Sequence, residues 1–403
     1  MIEVEAALEQ VLLHARRLSP EVTALTSAAL GLILAEDVVA DLDSPPFTKS
    51  LMDGYAVRFS DCQTLPVDLQ IVEEVAAGTS ATQPVHTGQA IAVFTGSPIP
   101  EGADTVAAME QTELLPDGRV RIKPHPLTAG NHVLPRGREV QQGSVIVPAG
   151  MVINPAAFGL FATAGKTAVQ AYPAPRLAIL ATGNELIEAN RLPKLGQIRN
   201  SNGPMLVAQA VRAGGLPRYL GISRDDPTIL RSLIQEGLNT ANILVLSGGV
   251  SVGKHDLVPA TLAELGVAIH FHQVRLKPGK PLLFGSRGTT LVFGLPGNPV
   301  SSYVGFELFV RTALRVMAGQ PEPRPLIARL RLLEGVEANH DRPTFHPARS
   351  DGQGGVRLLP WFGSPDLRGI LHADGFAILP PGPVHWQPGQ TVDVMMTGAI
   401  ARS

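Results

Sequence analysis

Cysteine is almost absent from this chain: Cys62 is the only one in 403 residues. That excludes an intrachain disulfide and a thiolate metal cluster, and it points to a reducing, cytoplasmic compartment. A buried structural thiol is the expected role of Cys62. An excess of either charge is also missing, with 33 basic against 35 acidic residues. A basic nucleic-acid binder at domain scale is therefore not expected, although a local anion pocket remains open. No apolar run reaches the length that crosses a membrane. Residues 1–10 are acidic and lack the basic start and apolar centre of a signal peptide. What the chain has in quantity is glycine and proline, 41 and 35, scattered between apolar runs. They mark turns in a folded chain too long for one ordinary core.

Three regions differ in pattern. Residues 1–172 open with a helix over about 2–17, then short strands near 90–95, 120–123 and 144–147, and read as β-rich with two subdomains. Residues 173–318 alternate strands (177–181, 219–222, 243–246, 268–274, 291–293) with helices (204–213, 227–238, 257–265, 300–318). That alternation predicts a parallel sheet with helices on both faces. Residues 319–323, G-Q-P-E-P, read as a linker. Residues 324–403 carry strands near 327–332, 356–359, 376–379 and 392–396, a pattern for a small β-barrel.

In open parallel sheets, ligands sit beyond the carboxyl ends of the strands. Those positions here hold T-G-N-E-L (182–186), S-R-D-D-P (223–227), L-S-G-G-V-S-V-G-K-H-D (246–256), K-P-G-K-P (277–281) and G-L-P-G-N-P (294–299). The third loop falls one residue short of a nucleotide P-loop, because His255 stands where Ser or Thr would meet Mg²⁺. Its glycines still let backbone N–H groups face an anion at a helix start. Asp256 has two open roles there, helix cap or holder of a hydrated Mg²⁺. Asp225 shares that ambiguity, since Asp-Asp-Pro is an ordinary helix opening. Glu185 follows a glycine turn and has no obvious capping role. Lys277 and Lys280 read either as a solvated hairpin tip or as an anion clamp. His270 and His272 share a strand face but have no third metal ligand. Trp361 and Phe362 read as core or rim residues. There is no G-x-G-x-x-G opening the sheet and no recognisable Ser-His-Asp set. Residue types and spacing alone reach metal-assisted chemistry on an anionic, phosphate-bearing ligand at a sheet edge.

Two further stretches stand out, S-L-M-D-G-Y-A (50–56) and T-G-S-P-I-P-E-G-A-D (95–104). With four of those loops, all but S-R-D-D-P, they resemble the molybdopterin molybdenumtransferase family, MoeA, which is related to the C-terminal part of gephyrin. The resemblance covers nearly the whole chain. It implies a homodimer with its site at the subunit interface, a central domain like the molybdopterin adenylyltransferase fold, and insertion of molybdenum from molybdate into adenylylated molybdopterin. AMP would be released with Mg²⁺ required. The family's functional acids fall on Asp53, Glu185, Asp225 and Asp256, the last three on the metal side. Its site threonine falls on Thr95 and its substrate-binding residues on Ser247, Gly248, Gly249, Ser251, Gly253, Lys277, Lys280, Pro296, Asn298 and Ser364. Glu139 matches an acid of a G-E-D-type turn. Gln273 and Pro347 depart from positions that are often basic in the family. The adenylyltransferase that supplies the intermediate is an implied partner. A molybdopterin adenylyltransferase and a scaffold protein are the alternative readings.

Overall fold

The computed structural model describes residues 1–76, 78–224, 226–249 and 257–398. The chain divides into two compact units, residues 36–168 and residues 1–35 with 169–403.

The unit of residues 36–168 is built on a six-stranded sheet in the order Thr105–Ala108, Gly54–Val57, Gln89–Val93, Val67–Val75, Arg119–Ile122, Thr112–Leu114. Only the central pair, Val67–Val75 with Gln89–Val93, runs parallel. Val57, Leu69, Ile91, Val106 and Ile122 are buried against it. Cys62 lies in this core, and burial pushes its thiol up to about 11, reinforced by Asp61 and Asp104. It is the inert structural thiol expected from its solitude.

The other unit centres on a second six-stranded sheet. Its strands are β1 (Arg176–Thr182), β2 (Leu216–Ser223), β3 (Ile243–Ser247), β4 (Ala268–Gln273), β5 (Pro281–Arg287) and β6 (Thr290–Leu295), in the spatial order β2-β1-β3-β6-β5-β4. β2, β1, β3 and β6 pair in parallel. The apolar runs split cleanly between the two faces. Leu177, Ile179, Ile243, Val245 and Phe293 enter one core; Ala178, Leu180, Leu244, Leu246 and Val292 enter the other. That is the period-two alternation of strands covered on both sides, where each face needs its own helices. Helices Val4–His14 and Asn202–Arg212 cover the first face, and Pro227–Thr240 and Leu257–Glu264 the second.

β5 has no counterpart in the sequence reading. It runs antiparallel to both β4 and β6. β4 therefore points the same way as β6, so Thr182, Ser223, Ser247, Gln273 and Leu295 all end strands at one edge. The long helix expected over 300–318 is also interrupted: Pro299–Gly305 and Arg311–Met317 flank a π-helical turn, Phe306–Val310. Glu307 in that turn is 2 % exposed and is held by Arg212, Arg311 and Gln209. Beyond residue 326, five strands close into a barrel, and Val336–His340 pairs separately with Gly382–Trp386.

Candidate active site

The carboxyl edge of the central sheet holds a cavity of about 480 Å³ lined by Thr182, Glu185, Asn200, Asn202, Ser247 and Asn298, among others. Ser247, the last residue of β3, lines it, and a glycine turn follows directly. Gly248 and Gly249 adopt positive φ, 89° and 64°. A Cβ on Gly248 would stand 2.4 Å from Thr182 O, and one on Gly249 2.7 Å from Thr182 Oγ1. Glycine is needed for both reasons, backbone hand and close approach to β1. The Gly248 N–H donates to Leu295 O at 3.0 Å, which ties the turn to the end of β6.

Side chains then join the loops. Asn202 Nδ2 donates to Ser247 Oγ and to Gly297 O, each at 2.8 Å. Asn298 Nδ2 donates to Ser364 Oγ at 3.0 Å, and the Val300 N–H donates to Ser364 O at 3.0 Å. Ser302 Oγ donates to Pro296 O. Four expected positions, Ser247, Pro296, Asn298 and Ser364, therefore belong to one connected set with Gly248 and Gly249. Glu185 is exposed on the cavity wall, with its carboxylate folded over Gly183. Asn200 and Asn202 carry no signal in the sequence. R-N-S-N-G-P has no glycine pattern or acidic residue to mark it, and only the convergence of three loops shows what these asparagines do.

The lysines sit differently. Lys277 pairs through its backbone with the C-terminal barrel: its N–H donates to Pro343 O at 2.9 Å, and Phe345 N–H donates to its carbonyl at 2.7 Å. Lys280 is exposed, and neither lysine lines the 480 Å³ cavity. Asp225, Ser251, Gly253 and Asp256 lie outside the described residues. The helix cap open to Asp225 in the sequence is filled by its neighbour: Asp226 accepts from Thr228 N at 2.9 Å and Ile229 N at 3.1 Å.

In the other unit, Asp53 and Thr95 meet. Asp53 Oδ1 accepts from both the N–H and the Oγ1 of Thr95, at 2.8 Å each. These two bonds hold the Asp53 carboxyl below the usual carboxylate range. Glu139 accepts from Ser44 Oγ at 2.9 Å in the same unit. Of the two histidines of β4, His270 packs: it stacks on His14, ring centres 3.7 Å apart, and bonds Ser286 Oγ at 2.8 Å. Phe362 is 90 % exposed, so it is no core residue.

Comparison with known proteins places this geometry. Three family models match in order: the MoeA N-terminal region (domain I and II) over residues 2–165, a probable molybdopterin binding domain over 178–316, and the MoeA C-terminal region (domain IV) over 329–396. The chain is 32 % identical to the molybdopterin molybdenumtransferase of Staphylococcus aureus (strain Mu50), covering 99 % of this chain and 96 % of that one. The chain belongs to the molybdopterin molybdenumtransferase family. The Bacillus subtilis (strain 168) family member is also 32 % identical, over 98 % of this chain and 94 % of its own. The crystal structure of the molybdopterin biosynthesis MoeA protein from Pyrococcus horikoshii superposes with a TM-score of 0.83 at 29 % identity, covering 99 % of this chain and all of that one. As a molybdopterin molybdenumtransferase family member, the chain is a transferase enzyme of molybdenum cofactor biosynthesis.

Proposed function

We propose that this chain inserts molybdenum, delivered as molybdate, into adenylylated molybdopterin and releases AMP with the finished cofactor. The observation that carries the reading is the connected set at the sheet edge. Ser247 lines the cavity at the start of a glycine turn, Asn202 ties it to the loop after β6, and Asn298 and Ser364 join that loop to residues 361–364. An oxyanion or phosphate needs such preorganised donors, because they stabilise charge without rearranging during reaction.

The cavity's side-chain donors, Thr182, Glu185, Ser247 and Asn298, are oxygen-bearing groups. Hard oxygen donors fit Mg²⁺ better than zinc. Glu185 would hold the ion, with Asp225 and Asp256 completing the set. When bound, the metal offsets charge on the phosphoanhydride. Lys277 and Lys280 offset charge on phosphate or molybdate. Ser251, Gly253 and Pro296 belong to the substrate-binding loops. Asp53, oriented by Thr95, closes the site from the second subunit of a homodimer. The chain works in the cytoplasm and takes its substrate from an adenylyltransferase. Residues 1–172, 173–318 and 324–403 divide these tasks.

The test is AMP release from adenylylated molybdopterin with Mg²⁺, with and without molybdate. Molybdate-dependent release that Asp256→Ala abolishes, in a variant that keeps its thermal stability, is the expected result. Release indifferent to molybdate, or none from the folded chain with either molybdate or tungstate, would end the reading.

A further inference from the structure

The cavity at the sheet edge carries a cation that none of the sequence motifs contains. Among its described lining residues, Arg199 is the only cation and Glu185 the only acid. Lys277 and Lys280 do not line it. A phosphate held in this cavity therefore meets Arg199 before any other described cation, and a full opposite charge at short range is what favours an anion most.

The local fold brings Arg199 there. Leu186–Ile187 and Ile198–Arg199 form a short parallel pair, with Leu186 opposite Ile198 and Ile187 opposite Arg199. The Ile198 N–H donates to Glu185 O at 2.8 Å, and the Asn200 N–H donates to Ile187 O at 2.9 Å. The segment that carries Arg199 is thus sewn to the one that begins at Glu185. The acid and the cation stand on paired segments of one cavity.

Those two charges are not spent on each other. Arg199 is exposed, its Nε donates to Arg191 O at 3.0 Å, and among the described residues no carboxylate pairs with it. The nearby acids are placed otherwise. Glu188 accepts from Tyr219 OH at 3.3 Å, and Glu185 folds its carboxylate over Gly183. An arginine tethered through Nε keeps its Nη groups, a flat fork that matches paired phosphate oxygens. The tether also lowers the side-chain entropy lost when that fork closes on an anion.

We propose that Arg199 binds the phosphate of the adenylylated substrate in this cavity and leaves Lys277 and Lys280 to molybdate. The identity of the substrate rests on the transferase reading.

Equilibrium binding of adenylylated molybdopterin to the full chain, without molybdate, tests this alongside AMP release. Arg199→Met should keep its thermal stability, because the side chain is exposed. It should weaken binding about tenfold or more, raise KM for the adenylylated substrate to match, and leave KM for molybdate unchanged. Arg199→Lys keeps the charge without the fork and should recover part of the loss. Lys194→Met is the control, since Lys194 is exposed on the same loop and does not line the cavity; it should change nothing. Unchanged binding in Arg199→Met overturns the proposal. An equal loss in Lys194→Met also overturns it, by showing only the general field of the loop. A shift confined to KM for molybdate would put Arg199 at the wrong anion and overturn it too. Wild-type binding without molybdate-dependent release would end the transferase reading, and the binding data would still decide the role of Arg199. No binding to the wild type would end both.

Discussion

The Asn202 side-chain amide holds Ser247 Oγ and Gly297 O at once, each at 2.8 Å, and so pins the loop after β3 to the loop after β6. Asn202 opens helix Asn202–Arg212 and is 7 % exposed, so water cannot readily replace it. Asn202→Ala leaves the buried Ser247 hydroxyl short of a donor and frees the exposed Gly297 carbonyl, which costs ~1–3 kcal/mol, chiefly at Ser247. Urea denaturation should show that loss, and AMP release should fall in the same variant. Full stability and full turnover together would contradict the assigned role.

Gly248→Ala should be more damaging than an ordinary surface change. The new Cβ meets Thr182 O at 2.4 Å, and φ of 89° is unfavourable for any L side chain. The expected cost is ~1–3 kcal/mol of strain, with loss of substrate affinity as the turn shifts. Gly96 also has positive φ, but a methyl there would meet no atom within 4 Å, so Gly96→Ala is the control for hand alone. Equal losses at both positions would remove close approach as the cause.

Asp53 should titrate in a way that Thr95 controls. Its folded carboxyl lies below the usual range, chiefly through the Thr95 N–H and then through Thr95 Oγ1. A depressed carboxyl stabilises the fold above the usual carboxylate range, and that contribution is lost as pH falls through the depressed value. Thr95→Val removes the hydroxyl donor and keeps the N–H. The Asp53 carboxyl should then titrate at a higher pH, read by carboxyl-carbon NMR. An unmoved titration would show that the hydroxyl contributes nothing.

Glu307→Gln tests the π-helical turn. The carboxylate is 2 % exposed between Arg212 and Arg311. Breaking a buried ion pair by removing one partner costs roughly 3–5 kcal/mol. Urea denaturation of Glu307→Gln should show a loss of that order. A loss within a few tenths of a kcal/mol would mean that the arginines are solvated without it.

Much of the central sheet was legible because its strands are short apolar runs punctuated by glycine and proline. Leu177–Ala181 reads as a strand and lies within Arg176–Thr182. β5 was not legible, because P-L-L-F-G-S-R follows a Pro-Gly turn and gives no alternation to separate it from a loop. The π-helical turn within helix 299–317 was equally hidden. It carries Glu307, whose arginine partners include Arg212, some hundred residues away in sequence.

The site divides along the same line. Sequence alone marked which loops hold chemistry-bearing residues, since glycine, amide, acid and lysine must each be supplied by a residue of that type. Six motifs in order were enough to indicate the family. Only the tertiary structure decided which of these residues meet. Asn298 and Ser364 touch across 66 residues, Asp53 and Thr95 across 42, and Asn202 joins two loops that the sequence keeps far apart. Hydrogen bonds depend on distances of about 3 Å, and separation along a chain does not set distance in space. For the loops that Asn202 joins, the register of β3 and β6 does; for Asp53 and Thr95, the pairing of Gly54 with Val93 does.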